Sequence, residues 1–278
     1  MNTKIYFLPI TAAAFFVLAT AATAQTPPDT NAPPRARAPM PPPRPPADTT
    51  IVTLPFTEDF ESGAINTNIW DIRTNRTATI EVVQDKTAHG KNAIKFHYPT
   101  GSRGAYAFIA ARLPDSLHDH LFGRAYVYVD WLPQPHTVLM NSGTRGYPVS
   151  NFLEIGQYHG QFQPSVQIQR RDPGVKTGEK VAFEGDIPFG RWFCLEWEFN
   201  DKPDRIVEWV DGKQVVDQSF TFNDTSSELI KGFSEFAIGV RTFAGPTDLT
   251  NNIDIYYDDI SISDKPIGQL TPVAEAAK

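Results

Sequence analysis

Alternation of apolar and polar residues with a period of two is the feature that most limits what this chain can fold into. It recurs in segments rich in Val, Ile, Tyr, Phe and Trp, with Gly, Pro, Asn or Asp between them. The segments are TATIEVVQD, AIKFHY, AYAFIAARL, GRAYVYVDWL, HTVLMNS, FLEIGQY, SVQIQRR, WFCLEWEF, RIVEWVDGKQVV, EFAIGVRTF and IDIYYDDISIS. No segment has the periodicity of an amphipathic helix, and DSLHDHLFG at residues 115–123 predicts only one short turn.

Many strands without helices indicate two sheets that pack face to face. We therefore predict an all-β fold, a two-sheet β-jelly roll sandwich. One hairpin is marked directly in the sequence, because Asp211 and Gly212 in WVDGKQV can adopt the positive φ angles that a tight turn requires.

The folded domain is expected to occupy only part of the chain. Residues 1–24 have the lysine, apolar core and Ala-Thr-Ala end of a secretory signal peptide cleaved after Ala24, and their apolar run is short for a transmembrane anchor. Residues 25–49 form a proline-rich linker, for which a spacer is favoured over a ligand for a partner domain. The jelly-roll domain is predicted at residues 50–266, before a flexible tail at 267–278. The protein is therefore expected to be secreted or periplasmic.

Charge and cysteine content narrow the function classes. The formal net charge of −7 argues against nucleic acid as a partner, because phosphate binding favours a basic surface. An acidic polysaccharide remains compatible with this charge, since a local cluster of arginines can dominate a mildly negative protein. The only cysteine, Cys194, excludes an intramolecular disulfide, and its place in RWFCLEWEF predicts a packed apolar side chain.

The stretch NFLEIGQYHGQFQPSVQIQRR at residues 151–171 carries most of the candidate functional residues. If Leu153, Ile155, Val166 and Ile168 face the core, the pleat turns the residues between them to the other face. Those residues carry carboxylate, phenol, amide and guanidinium groups instead of the Lys, Thr and Ser of a plain solvated strand. They are Glu154, Tyr158, Gln167, Gln169 and Arg171, beside Gly156. We predict that they form the floor of a groove for a polar polymer.

Other segments add candidates to the same face. Arg241 alternates with apolar residues in FAIGVRTF, and His136 begins a predicted strand. A glycine such as Gly156 leaves room for a ligand to approach the sheet. Each candidate also has an ordinary alternative. His136 can be a surface or core residue, Tyr158 can serve sheet packing, and Glu154 can form a cross-strand ion pair with an arginine.

Both ends of the domain are acidic. EDFESGAINTNIWDI opens the domain and IDIYYDDISIS closes it, and jelly rolls often pair their first and last strands. Glu61 and Asp258 could then supply hard oxygen ligands to one Ca²⁺. AHGKNAIKF adds Asn92 as an oxygen ligand and Gly90 for a tight loop. The alternative is that these acids are the solvated ends of strands.

Signatures of several enzyme classes are absent from the sequence. There is no Gly-x-Ser-x-Gly elbow, no His-Glu-x-x-His, no glycine-rich phosphate loop and no Glu-x-Asp-x-x-Glu strand of the laminarinase type. Glu196 and Glu198 lack an aspartate between them, so we assign both to the solvent face of an outer strand.

The order of the motifs resembles one known family. DFESG…W, AHGKNAIKF, GRAYVYVDWL…H, FLEIGQ, IPFGRWFCLEWEF…VEWVDG and YYDDISIS follow one another over residues 55–264. In this order they resemble the secreted fungal cellulose-induced proteins and glucuronan lyases of polysaccharide lyase family twenty. The resemblance implies a concanavalin A-like jelly roll of the lectin/glucanase type. It also implies a structural Ca²⁺ held by Glu61, the loop around Gly90, Asn92 and Asp258.

The groove strand departs from the family pattern. The family's histidine falls on Phe152, its arginine on Glu154 and its glutamine on Tyr158, while Gln157 lies one place early. A shift of one residue turns a side chain to the other face of the sheet unless a bulge intervenes. The resemblance therefore leaves the substrate and the chemistry open.

The leading hypothesis is a β-eliminating lyase that acts on a uronic-acid-containing glycan. The catalytic candidates are Tyr158 and His136 as base and acid, with Arg171 and Arg241 for the C6 carboxylate. The candidates for substrate binding are Glu154, Gln157, His159, Gln167, Gln169 and Arg103.

Two alternatives use the same fold: a non-catalytic carbohydrate-binding module or lectin, and a glycoside hydrolase built around Glu154. In every case the expected partner is a polysaccharide, an acidic one included, and the expected cofactor is structural Ca²⁺. We expect no nucleic acid partner, no membrane span in the mature chain, and a monomer.

Overall fold

Strands form all of the regular secondary structure in the part of the chain that the computed structural model describes. This part comprises residues 47–75, 77–102, 104–115, 117, 119–143, 151–168, 178–182, 184–220, 232–245 and 247–268. Within it, no helix is long and apolar enough to cross a membrane. The predicted signal peptide, nearly all of the proline-rich linker and most of the C-terminal tail lie outside the described residues.

The strands divide into two sheets. They are β1 (Phe56–Glu58), β2 (Trp70–Asn75), β3 (Thr79–Val83), β4 (Ala93–Tyr98), β5 (Tyr106–Arg112), β6 (His120–Val129), β7 (Thr137–Gly143), β8 (Asn151–Tyr158), β9 (Gln161–Ile168), β10 (Gly178–Val181), β11 (Glu184–Asp186), β12 (Trp192–Asp201), β13 (Asp204–Val210), β14 (Lys213–Ser219), β15 (Glu235–Thr242) and β16 (Ile253–Ser263). The back sheet has the order β14-β13-β12-β6-β16-β4-β3, with β1 beside β16. The front sheet has the order β10-β9-β8-β7-β15-β5-β2, with β11 beside β9. The paired strands are antiparallel, which confirms the predicted all-β, two-sheet jelly roll.

The period-two alternation places one face of each sheet in a shared core. Leu153 and Ile155 on β8, Val166 on β9 and Leu195 on β12 are fully buried between the sheets, as their positions in the pattern predict. Burial of one such side chain stabilises the fold by about 1.5–3 kcal/mol. The residues that alternate with the core positions on β8 and β9 therefore lie on the outer face of the front sheet. We call this surface the front face.

The turn predictions have mixed outcomes. The hairpin at Asp211 and Gly212 is confirmed, with φ angles of 50° and 76° between β13 and β14. The short turn predicted over residues 115–123 is wrong in its second half, because β6 already begins at His120. Leu121 pairs there with a residue of β12 and is completely buried, and this burial favours a strand. The sequence pattern also missed the short strands β1, β10 and β11, and β2, whose alternation is irregular.

Two β-bulges lie in the middle of the front sheet. Relative to β8, β7 has an extra residue between Val138 and Met140. Relative to β7, β15 has an extra residue between Ile238 and Arg241. Bulges of this kind re-aim the side chains that follow them. They determine which residues of β7 and β15 reach the front face.

A buried tyrosine of the back sheet supports both irregularities. The hydroxyl of Tyr257 lies 3.0 Å from the carbonyl oxygen of Gly239 and 3.3 Å from that of Leu139. Tyr257 is fully buried, and burial raises the pKa of its hydroxyl, which therefore stays a donor. The two carbonyl groups come from the irregular segments of β15 and β7.

Glu208 on β13 is an acid inside the core. It is completely buried, pairs across strands with Trp197, and neither carboxyl oxygen has a hydrogen-bond partner in the described part of the chain. Burial raises the pKa of this carboxyl well above its ordinary value, and Glu184 acts in the same direction. The folded protein therefore keeps Glu208 protonated at pH values where the unfolded chain has released this proton.

Glu208→Gln is expected to flatten the pH dependence of stability. Because the folded-state pKa is raised, the wild-type protein loses stability as pH rises above the unfolded value of about 4.3, by up to about 1.4 kcal/mol per pH unit. The neutral amide avoids this loss. Urea unfolding at about pH 5 and about pH 7 measures the difference. Glu81→Gln, at an exposed position of the same sheet, is the control. Equal pH profiles for Glu208→Gln and the wild type would contradict the assignment.

Candidate functional site

A row of polar side chains crosses the front face. Asn141 on β7, Glu154 on β8 and Ser165 on β9 are direct cross-strand partners, and Ala237 on β15 continues the row. Direct partners on one face lie about 4.5–5.5 Å apart between Cβ atoms, so these side chains are neighbours. The polar part of the row is nevertheless well buried.

The central contact of the front face joins His136 and Glu154. His136 Nε2 lies 2.9 Å from Glu154 Oε1, and Ser165 Oγ donates to the same oxygen at 3.3 Å. The Nε2 contact satisfies the distance of an ion pair but not the angles of an aligned hydrogen bond. The side chain of Glu154 is 4% exposed and that of His136 is 14% exposed, so the pair is shielded from water.

The position of His136 is fixed by the end of β15. Its carbonyl oxygen accepts hydrogen bonds from the backbone N–H of Phe243 at 2.9 Å and from the hydroxyl of Thr242 at 3.2 Å. Its imidazole ring stacks on the Phe243 ring with 5.2 Å between centroids. The guanidinium of Arg241 lies 4.6 Å from the same phenylalanine ring. Phe243 is 54% exposed, so an aromatic surface and a cation adjoin the histidine at the edge of the site.

Gly156 makes room for the histidine ring. A Cβ atom at this position would lie 2.8 Å from His136 Nε2 and 2.9 Å from the carbonyl oxygen of Thr137. Contacts below 3.0 Å essentially never occur for a real Cβ, so a larger residue would displace the ring. The space that the sequence predicted for a ligand at Gly156 is therefore filled by His136.

The front face brings together several of the predicted residues. Glu154 and His136 are in contact, and Arg241 is half-buried beside them. Tyr158, 38% exposed, lies at the β8–β9 turn, where its ring contacts that of His159 with 4.2 Å between centroids. Gln167 is half-buried on β9, two residues beyond Ser165 on the same face.

Other predicted residues are not part of this group. Gln157 is fully buried and faces away from Glu154. Its amide donates to the carbonyl groups of residues 133 and 135 and accepts from the N–H of Gly160. This departs from the expectation of a substrate-binding side chain, because the amide is occupied in holding the turn. Arg103, Arg171 and Gln169 lie outside the described residues.

A buried ion cluster on the front face was missed by the sequence analysis. Arg73 on β2 donates twice to Glu235 on β15, at 2.7 Å each, and once to Asp71 at 2.9 Å. Burial opposes the charged form, but the contacts with Glu235 and then Asp71 raise the net pKa of Arg73. In the sequence, the alternation of Asp71 and Arg73 around Ile72 could have indicated a strand with charged residues on one face. The pairing of Arg73 with Glu235 could not be predicted, because the two residues are far apart in the sequence.

The four predicted calcium ligands meet at one loop. The carboxylate of Glu61 accepts backbone hydrogen bonds from residues 91 and 92, both at 2.8 Å. The carboxylate of Asp258 accepts them from residues 88 and 89, at 2.9 and 3.1 Å. Gly90 is needed there because its φ is 59° and a Cβ would lie 2.4 Å from Glu61 Oε1.

Two carboxylates, those of Glu61 and Asp258, accept backbone N–H groups of this loop. Burial raises the pKa of Asp258 to about 6; the N–H of His89 opposes the shift, and the charge of Asp259 adds to it. A cation would offset this crowding of acids. Within the described residues no group of three or more His, Cys, Asp or Glu is placed to hold a metal. Further ligands would therefore be neutral oxygens, which Ca²⁺ accepts. The amide oxygen of Asn92 is a candidate, and it accepts a hydrogen bond from Gln84 Nε2 at 3.0 Å.

Cys194 has the packing role that the sequence predicts. It is buried on the outer side of β12, and burial raises the pKa of its thiol to about 12, so the reactive thiolate does not form at neutral pH. Glu196 and Glu198 on the same strand are half-buried, away from the front face.

Two antiparallel sheets packed face to face, with a polar outer face on one of them, define a two-sheet jelly-roll protein. Among solved structures, the chain is similar to the cellulose-induced protein Cip1, with 18% identity and a TM-score of 0.57 over 77% of this chain and 99% of that chain. It is also similar to endo-β-1,4-glucuronan lyase from the fungus Trichoderma reesei, with 16% identity and a TM-score of 0.56 over 76% of this chain and 95% of that chain.

A sialidase matches more weakly, with 13% identity and a TM-score of 0.51 over 75% of this chain and 18% of that chain. No family model and no curated protein matches the sequence. These likenesses establish the fold, which is the one implied by the family that the motifs resemble.

Gly156→Ala is expected to destabilise the fold by about 1–3 kcal/mol, because the new methyl group overlaps the His136 ring. In a His136→Ala background the loss should be smaller, since part of the overlap is gone. Thermal unfolding of the four proteins of this cycle measures the coupling. Gly245→Ala is the control, because its Cβ would meet only the movable ends of side chains. An equal loss in both backgrounds would show that His136 does not occupy this space.

Proposed function

We propose that this protein is a polysaccharide-active jelly-roll protein that cleaves a uronic-acid-containing glycan by β-elimination on its front face. The observation that carries the proposal is the shielded contact between His136 and Glu154, with Arg241 and an exposed Phe243 beside it. The similarity of the fold to that of a glucuronan lyase supports the substrate class. An exported chain, as the N-terminal pattern predicts, would meet such polymers outside the cell.

β-Elimination makes three demands on a site. A base removes the proton on C5, the C4–O4 bond breaks as the C4–C5 double bond forms, and an acid protonates the departing O4. A cation beside the C6 carboxylate lowers the barrier, because it stabilises the charge that develops next to C5. We assign this last role to Arg241.

His136 and Tyr158 are the groups that we propose to move the protons. Glu154 Oε1 lies 2.9 Å from His136 Nε2 and favours a proton on this nitrogen, and the imidazole ring is the proposed base. Tyr158, on the same face at the turn after β8, is the proposed proton donor to O4. Proton transfer by placed side chains of this kind contributes about 10²–10⁴-fold to a rate.

One observation favours a second candidate, a binding module without catalysis. Phe152 and Glu154 stand where the resemblance has histidine and arginine, so part of the family's groove is altered. A jelly roll can bind a glycan on the same face without cleaving it. An activity assay separates the two functions.

The proposal predicts that the mature protein incubated with glucuronan, alginate and other polyuronates produces the ultraviolet absorbance of unsaturated uronates. His136→Ala and Tyr158→Phe should each lower the rate by about 100-fold or more, because each removes a proton-transfer group. His120→Ala is the matched control, since His120 contacts Glu198 at 2.9 Å on the back sheet and should leave the rate unchanged. New reducing ends without absorbance would indicate hydrolysis instead, and binding without product would indicate a module.

We also propose a structural Ca²⁺ at the loop of residues 88–92. The convergence of Glu61, Gly90, Asn92 and Asp258 on this loop supports the proposal. The cation would join the loop to β16 and to the segment after β1. It has no part in the elimination.

Calcium is therefore expected to raise the midpoint of thermal unfolding relative to chelator-treated protein. At a Ca²⁺ concentration 100 times the Kd, the gain is about 2.7 kcal/mol. Asp258→Asn should abolish most of the gain, because it removes one of two carboxylates. Asp254→Asn, on the same strand, is the control. Equal midpoints for the wild type with calcium and with chelator would exclude the site.

A further inference from the structure

Exposed aromatic side chains gather at one end of the front sheet. Four large apolar side chains among the described residues are exposed: Ile51 at 45%, Tyr158 at 38%, Phe189 at 40% and Phe243 at 54%. The three aromatic ones belong to segments that meet at the same end of the sheet. Single exposed apolar side chains are ordinary, but a group of them in one place marks a binding surface.

Phe243 reaches this end beside His136. Phe243 directly follows β15 and His136 directly precedes β7, and these two strands are antiparallel neighbours. The backbone N–H of Phe243 donates to the carbonyl oxygen of His136 at 2.9 Å, and the two rings stack. The exposed phenyl ring therefore adjoins the proposed base.

Phe189 reaches the same end beside the turn between β8 and β9. Tyr158 is the last residue of β8, and Gly160 lies in the turn that follows. The N–H of Ile187 donates to the carbonyl oxygen of Gly160 at 2.9 Å. A Cβ atom at Gly160 would lie 3.5 Å from Phe189 Cε2, which is ordinary van der Waals contact. The Phe189 ring therefore lies against the turn that carries Tyr158.

The strand order arranges these side chains in a row. The order β9-β8-β7-β15 places Phe189 first, Tyr158 second, His136 third and Phe243 last. Neighbouring strands are about 4.7–4.9 Å apart, so the three spacings from β9 to β15 span about 14 Å. This span exceeds one sugar ring. The two proposed proton-transfer groups therefore stand between two exposed phenyl rings.

The two rings differ in their charged neighbours. The guanidinium of Arg241 lies 4.6 Å from the Phe243 ring, so this end offers a cation to a uronate carboxylate. Arg191 is two residues from Phe189, but its guanidinium contacts the carboxylate of Asp211 at 2.7 Å. A phenyl group has no hydrogen-bonding atom, and its electron-rich face attracts the C–H groups on the face of a sugar ring. Phe189 therefore offers stacking alone.

We propose that Phe243 and Phe189 are stacking subsites for sugar units on opposite sides of the bond that is cleaved. The glycan then runs across the strand ends, over His136 and Tyr158, with a uronate unit at Arg241. This inference rests on the proposed function of the front face and adds to it the path of the chain. Phe189 binds substrate in this account and takes no part in proton transfer.

Calorimetric titration with a dimer and a hexamer of one polyuronate tests the path. The parent protein is Tyr158→Phe, which leaves the oligomers uncleaved. In this background Phe189→Leu keeps an apolar side chain but removes the flat ring. It should weaken hexamer binding by about three- to tenfold, the effect of one aromatic contact. It should leave dimer binding unchanged, because the carboxylates keep a dimer at Arg241.

Two further variants are the controls. Phe189→Tyr retains a ring and should bind the hexamer as the parent does. Ile51→Ala removes the exposed apolar side chain that lies away from the row, since Ile51 pairs with Arg112 at the opposite end of β5. It should change neither affinity. Normal dimer binding by each variant shows that the variant is folded.

The outcomes separate this inference from the proposed function. Hexamer binding that Phe189→Leu leaves unchanged, or an equal loss for dimer and hexamer, would overturn the subsite at Phe189 alone. The ultraviolet assay of the wild type tests the lyase function independently. Hexamer binding that requires Phe189, in a protein whose wild type forms no unsaturated product, would support the path and overturn the lyase function. Failure to bind either oligomer would overturn both.

Discussion

The hydroxyl of Tyr257 is the contact on which the front face depends. It reaches from the back sheet through the core to the carbonyl groups of Leu139 and Gly239, which belong to the irregular segments of β7 and β15. The hydroxyl has a single proton, which the two carbonyl groups share, and the loss of this buried hydrogen bond would cost about 1–3 kcal/mol. The core therefore stabilises the two bulges, and the bulges set the register in which β7 and β15 present Asn141 and Arg241.

This arrangement makes the middle of the front face rigid. Leu153 and Ile155 hold β8 against the core, so the intervening Glu154 and Gly156 have little freedom on the other side. His136 is fixed in addition by the backbone and the side chains at the end of β15. Functional groups that are built on strands in this way keep their geometry more closely than groups on loops. Such rigidity suits the proposed proton transfer by His136.

The fold could be read from the sequence because its main signal is local. The alternation around Leu153, Ile155 and Val166 follows directly from the pleat, and it correctly placed Glu154 on the outer face. The same local signal was too short at β1, β10 and β11 and irregular at β2. The alternation was also ambiguous at His120. The next residue, Leu121, is buried and pairs with β12, and this contact makes the segment a strand.

The site could be predicted only in part, because its contacts depend on which strands become neighbours. His136 and Glu154 were both named as candidates. Their contact depends on the β7–β8 register and on the bulge after Val138, which no local pattern encodes. The Arg73–Glu235 pair joins segments far apart in the chain and was not foreseen. The calcium candidates converge because they lie at the two paired ends of the domain, and that pairing could be anticipated.

The central claim is that the front face holds the glycan against His136. A crystal structure of the Tyr158→Phe variant with a uronic-acid-containing oligosaccharide tests it most directly. The account predicts a sugar ring in contact with His136 and a carboxylate within about 3 Å of the Arg241 guanidinium. An oligosaccharide bound to the outer side of the back sheet, with His136 untouched, would contradict it.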